Sequence, residues 1–549
     1  MNNSATNMAT NNSNTLVGTG LRTSSYYALP AAPIPTATLE EALALVDASG
    51  VVEFFTGWAK EDGRSTRRAT LISRQVLAVW IALGLSQREL TVGNAASVLC
   101  EHLTPARRRA LDLPDGFSSL VPEQVASTVE RVTRRLMDAV DAYPSYSRGR
   151  RLTKNEWERL VQERAEHSAE LEERRGRFVV FANRLLRAQF TAAGVADLGA
   201  SVSVVVDSCF RTAGARDLSR HRLGALESEG RVSAEPDAGF AVHGGTADGW
   251  GQARYGWEDE LAVLIPNDPD QRRSVPNIAI GINPHRPGVG FAAAASEMLQ
   301  NIAASSAGLD HVVVGRAYMA TPPAPFRTSL ADLGVKLVAD YPQTRLGVQR
   351  KSTTGLLVDG TWYAPTLPAH LQTAGLNLAR PVPATTGVKK REASQELTEQ
   401  LDARAEFARL HPHAPGASST EPDEQHYPYR SEQWSKVYSM GRQAFESYAA
   451  SLRRVRKNTR GGMRGATAQA FLSVLTVMGT NARIIEDFHD VRETPRDRSV
   501  LVPRLMQVGT VASTESAITC KFGPRRRAML CPAVVPSAQI RCDRRDAFN

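Results

Sequence analysis

The sequence predicts an α/β chain: a mixed sheet flanked by helices, preceded by an all-helical region and interrupted by an insertion before the last long helices. Three observations predict it. Apolar residues recur at helical spacing before residue 170. β-branched runs take over near residue 200. From there strand and helix patterns alternate until an aperiodic stretch begins at about 345. The chain has 549 residues, more than one ordinary domain holds, and 42% of them are hydrophobic, enough for a sizeable core.

Residues 1–40 are polar and then proline-rich (Ala28-Leu-Pro-Ala-Ala-Pro-Ile-Pro35) and read as a disordered leader. Residues 41–170 are the helical region. Leu71, Ile72, Val76, Leu77, Val79, Trp80 and Leu83 form an apolar stripe behind a basic entry, Arg64-Ser-Thr-Arg-Arg68. Val125, Val129, Val132, Leu136 and Val140 repeat the helical period. This region is expected to be a domain with basic faces, in contact with DNA or serving only as a scaffold.

Residues 171–345 carry the sheet. Val202, Val204, Val205 and Val206 form a short strand that is expected to end at Asp207. Further strands are expected at 240–243, 261–265 and 278–282, then a helix at about 290–305, then strands at 312–314 and 335–339. In such a sheet ligands gather at the C-terminal ends of the parallel strands, where Asp207 would stand. Residues 346–430 read as an insertion, with a hairpin-like piece (Thr353-Thr-Gly-Leu-Leu-Val-Asp-Gly-Thr-Trp-Tyr363) and disorder around 411–425. Helical periodicity resumes at Trp434 and fills 431–490, broken at Gly461-Gly462. Residues 491–549 are an irregular basic tail.

The formal net charge is +9, and arginine clusters at 107–109, 148–151, 453–457 and 525–527. Such clusters suit a phosphate backbone, although each alone is as readily a solvated face. Five scattered cysteines lack zinc-site spacing, and a chain this long does not need a disulfide framework, so a reducing cytoplasm is expected. The sequence shows neither a secretory signal pattern nor a clean membrane-spanning stretch, so no membrane partner is expected.

Two acids stand out chemically. Asp207 is a lone carboxylate after an apolar strand, and the plain alternative is an aspartate opening a turn. Glu446 lies in a helix with Arg442 and Tyr438 at four-residue steps, all on one face, and Arg453 seven residues on, on the same side. An acid flanked by cations suits a metal ion with phosphate held beside it; an intrahelical Arg–Glu pair is the plain alternative.

Several segments, in order, resemble the DDE-type transposases, particularly a group common in actinobacterial genomes. They are Arg151-Leu-Thr-Lys-Asn-Glu-Trp157, Val204-Val-Val-Asp-Ser208, Arg231-Val-Ser-Ala-Glu-Pro-Asp-Ala-Gly-Phe240, Tyr255-Gly-Trp-Glu258 and His285-Arg-Pro287. Asp340-Tyr-Pro342, Leu346-Gly-Val-Gln349, Leu357-Val-Asp-Gly-Thr-Trp-Tyr363 and the two helices after Trp434 complete the series. The resemblance spans about residues 57 to 490 and implies a ribonuclease-H-like core with an insertion before the last acid. It implies Asp207 and Glu446 as catalytic, metal-binding acids for Mg2+ or Mn2+. It also implies Arg442, Arg316 and Arg453 as DNA contacts, double-stranded DNA (element ends and target) as partner, and a homo-oligomer on the nucleoid.

The main departure from that pattern is at one position, and nothing after about Asp490 resembles the family. The middle acid should stand in Val312-Val-Val-Gly-Arg-Ala-Tyr318, where Gly315 has no side chain to bind metal. Asp310 lies at the wrong end of that strand, and Asp237 and Glu258 are further matching acids of structural or functional role. Three readings follow: a transposase that cuts and joins DNA through metal-dependent attack on phosphate, an activity that the missing middle acid puts in question; a catalytically dead relative that still binds DNA; or a nuclease or integrase-like protein on the same fold.

Overall fold

The computed structural model describes residues 33–63, 70–100, 104–113, 121–143, 151–194, 201–213, 232–243, 252–305, 308–373, 375–376, 387–411, 422–458 and 463–493. Most of the leader, the basic entry at 64–68, Gly461-Gly462 and nearly all of the tail lie outside the described residues.

The amino-terminal part is helical, as its periodicity predicts: α1 (Thr36–Ser49), α2 (Val51–Glu61), α3 (Thr70–Leu85), α4 (Val92–Cys100), α5 (Pro105–Ala110), α6 (Pro122–Asp138), α7 (Lys154–Glu166) and α8 (Ser168–Ala192). The first helix starts inside the stretch read as leader, because Pro35 caps it rather than breaking it. Thr153 and Glu156 form a reciprocal capping box that starts α7.

These helices build no core of their own. From Val76 to Leu83 every residue of α3 is buried, the mark of a helix wrapped on all sides. It packs on the last helix, α15 (Ala466–Glu493), where Trp80 meets Phe471 edge-on and Phe181 stacks on the same ring. Gly84 permits this approach: a Cβ there would stand 2.6 Å from the Leu475 carbonyl oxygen. One hydrophobic core therefore runs from α1 through the sheet to α15.

In the main sheet β1 (Val202–Thr212) is central. β3 (Gln252–Ile265) lies antiparallel on one side and β5 (Leu309–Val314) parallel on the other, with β6 (Lys336–Ala339) parallel beyond it. The outer edge of β3 is shared by β2 (Gly239–His243) and β4 (Ala279–His285), both antiparallel. α9 (Phe291–Ser305) connects β4 to β5, and α10 (Arg316–Ala320) and α11 (Phe326–Asp332) connect β5 to β6.

Two strands are longer than expected. β1 continues past Asp207 to Thr212: its parallel pairing with β5 reaches only Val206 beside Val314, but its antiparallel ladder with β3 carries on. Asp207 thus stands just past the end of the parallel ladder, in the middle of the strand. β3 begins at Gln252 and carries Glu258, Asp259 and Glu260 through its middle. Those acids hide the strand from a hydrophobicity reading, and the two buried ones are each matched by partners described below.

The insertion holds an antiparallel sheet of β7 (Val348–Lys351), β8 (Leu356–Val358) and β9 (Thr361–Tyr363), then α12 (Ala369–Gln372) and α13 (Gly387–Leu410). The last of these replaces the irregular charged run expected there. Its residues are strong helix formers, and it is tied down by Arg404, whose guanidinium donates to Asp359 at 2.7 Å and to the Leu371 carbonyl at 3.1 Å. α14 (Glu432–Asn458) then lies across β1, β3, β5 and β6. No single helix among the described residues is long and apolar enough to cross a membrane.

Candidate functional site

Alternation along β1 and β3 divides their polar groups between the two faces of the sheet. Asp207, Arg211 and Asp259 face α14; Ser208 and Glu260 face the side of α9. Each face has its own network.

On the α14 face, Arg442 joins the two predicted acids. Its Nη1 donates to the Asp207 carboxylate and its Nη2 to Glu446 Oε1 at 3.2 Å. Burial pulls the Arg442 guanidinium down, but the charge of Asp207 and its hydrogen bond more than offset that, so the net shift is upward. Asp207 is partly exposed and Glu446 mostly so, with 63% of its side chain accessible. Gly315 adjoins this group, since a Cβ on it would meet only Arg442 Nη1, at 3.8 Å. Its φ of −80° and ψ of 176° are open to any residue, so the backbone does not require glycine.

The register extends the group by one strand. Val206 pairs with Val314 and Val314 with Ala339, so Asp207, Gly315 and Asp340 follow side by side on three parallel strands. Asp340 is buried and accepts from Arg316 Nε at 2.6 Å and from the Tyr429 hydroxyl at 2.7 Å. The Arg430 guanidinium lies 3.7 Å from it. Arg316, expected as a DNA contact, is held by Asp340 and remains 64% exposed. Arg453 is exposed two turns beyond Glu446, where its charge reaches the Cys209 thiol.

Two further networks fix this face. Fully buried Asp259 accepts from Arg211 on β1, from Arg456 on α14 at 2.6 Å and from Ser473 on α15 at 2.6 Å, so it ties both helices to the sheet. Burial would raise its carboxyl; the charges of Arg211 and Arg456 instead carry it down to about 2. On the opposite face buried Glu260 accepts from Ser208, from the Tyr318 hydroxyl on α10 and from His285 Nε2 at 3.0 Å. Burial alone would lower the His285 imidazole, but its hydrogen bond to Glu260 lifts it above the usual range. Tyr318 thereby anchors the short helix that follows Gly315.

Other candidate acids stand outside this cluster. Asp237 pairs with Arg164 of α7 at 2.6 Å, and Asp310 with His311 and Lys336 at the start of β5. A cavity of about 40 Å3 lined by Tyr143, Arg175, Trp257 and His285 has room for a water or two, not for a nucleotide.

The structure brings together Asp207, Arg442 and Glu446, all singled out in the sequence, and adds Asp340, Tyr429 and Arg430, which were not singled out as site residues. The available signal was an acid directly after the β6 apolar run, the same pattern that marked Asp207. No protein-family model, no curated protein and no solved structure matches the chain.

Proposed function

We propose that the chain is a DNA-binding protein on a DDE-transposase scaffold whose strand-cutting chemistry is lost. The observation that carries this reading is the convergence of Asp207, Gly315 and Glu446 on a single guanidinium, that of Arg442. The sheet supports it: adjacent antiparallel strands β4, β3 and β1, then parallel β5 and β6, with the last acid on a helix crossing them. A ribonuclease-H-like core calls for that order.

Cutting and joining phosphodiesters on such a core needs two divalent ions about 4 Å apart, held by carboxylates and water. The residues present do not fit that pair. Among the described residues no group of three His, Cys, Asp or Glu could hold a metal ion. Asp207 and Glu446 are both engaged by Arg442, and the third position is glycine. Mg2+ or Mn2+ therefore has two occupied carboxylates where the resemblance calls for three open ones. What remains is a row of arginines beside strand ends, suited to holding phosphate.

Gly315→Asp tests the lineage, because an aspartate fits there without backbone strain. The purified chain should bind duplex DNA without nicking it, and Gly315→Asp should gain Mn2+-dependent nicking that Asp207→Asn abolishes. The transposase reading in its active form is favoured instead if the unaltered chain nicks as well as Gly315→Asp.

A further inference from the structure

Arg316 and Arg430 reach the same buried carboxylate, that of Asp340, from segments more than a hundred residues apart. Each is ordered before any ligand arrives. Arg316 is held through Nε, the one guanidinium nitrogen that is not terminal, and most of its side chain is exposed. Arg430 lies over the rings of Tyr429 and Trp434, with its guanidinium carbon 5.3 and 5.2 Å from their centroids. Trp434 is itself fixed by donating to the Ala339 carbonyl and to Gln425.

The backbone at Arg430 is a second, independent observation. Its φ is +65°, a left-handed conformation that glycine adopts easily and arginine does not. Strain of this kind persists where the side chain is needed in a set place. An arginine held there, stacked on two aromatic rings beside a second anchored arginine, is pre-organised for an anion that both can reach. A guanidinium pair of this sort matches the two non-bridging oxygens of a phosphodiester.

We propose that Arg316 and Arg430, positioned by Asp340, form a phosphodiester-binding subsite on the far side of Gly315 from Asp207. The subsite rests on the DNA-binding reading and adds to it a place where a backbone phosphate is gripped without a metal ion. Asp340 acts through the arginines and is a positioning residue.

The sign of one substitution separates positioning from bulk charge. Asp340→Asn removes a negative charge, so a purely electrostatic surface would bind DNA more tightly after it. A positioned subsite binds more weakly. The test is fluorescence anisotropy of the full chain with a labelled random-sequence duplex, titrated across salt. Arg316→Ala should weaken binding several-fold and reduce the slope of log K against log salt by about 0.9, the value for one lost phosphate contact. Asp340→Asn should weaken binding in the same direction. Arg430→Gly should weaken binding while keeping or raising Tm, since it relieves the backbone strain; this variant keeps the test sound if Asp340→Asn fails to fold. Tighter binding by Asp340→Asn overturns the subsite, as does Arg316→Ala or Arg430→Gly binding with unchanged affinity and slope. A chain that does not bind the duplex at all overturns the DNA-binding reading itself, a result distinct from either.

Discussion

Asp259→Asn should be among the most destabilising single-atom changes in this chain. The carboxylate is fully buried and compensates two guanidinium groups, Arg211 from β1 and Arg456 from α14. Its pKa falls from 3.8 to about 2, which corresponds to roughly 2–3 kcal/mol of stability at neutral pH. The amide also leaves two half-buried cations facing a neutral group, and breaking a buried pair in that way costs about 3–5 kcal/mol. A loss of about 3–5 kcal/mol is therefore expected, or a fall in Tm of roughly 3–5 °C, because the unfolding entropy of a unit this long is about 1 kcal/mol per degree. Because the folded-state pKa is depressed, the stabilisation is complete above the unfolded pKa and is lost only as pH falls through about 2. Urea denaturation of both proteins should then show the same gap at pH 7 and at a pH of about 5. A loss below about 1 kcal/mol, or a gap that already closes over that interval, would show that the Asp259 charge does not hold the two guanidinium groups to the sheet.

Two more stability predictions follow from the core. Burial raises the Glu235 carboxyl from 4.5 to about 7, and its Oε1 has no partner among the described residues. The folded state then binds the extra proton, so stability falls as pH rises from the unfolded to the folded value; Glu235→Gln should raise Tm at pH 8, by up to about 3 kcal/mol in stability, and change little at a pH of about 4.5. An equal Tm shift at both pH values would show that its charge is not what matters. Gly84→Ala should cost about 1–3 kcal/mol in a chemical melt, because its Cβ would meet the Leu475 carbonyl where α3 crosses α15; an unchanged midpoint would mean the helices separate freely.

The site was legible in the sequence where its parts are local. Four-residue spacing placed Arg442 beside Glu446, and an apolar run followed by an acid marked Asp207. What sequence hid was long-range compensation. Glu258, Asp259 and Glu260 look like a solvated turn, yet they lie mid-strand because Arg211, Arg456, Tyr318 and His285 come from elsewhere to meet the two buried ones. Asp340 and Tyr429 are 89 residues apart, so no local pattern joins them. The helical region likewise read as a domain of its own because periodicity reports which face of a helix is apolar, not what covers it. α3 is apolar all round, and one of the elements that cover it, α15, comes at the far end of the described chain. The expected contacts of the 64–68 basic entry and of the tail fall outside the described residues.

The role proposed for this chain is to hold DNA at a site whose cutting chemistry is gone. Its most direct test is a nicking assay with the unaltered protein, in Mg2+ and in Mn2+, under conditions where anisotropy shows the duplex fully bound. Bound, intact DNA is expected in both metals. Robust metal-dependent nicking that Asp207→Asn abolishes would contradict it.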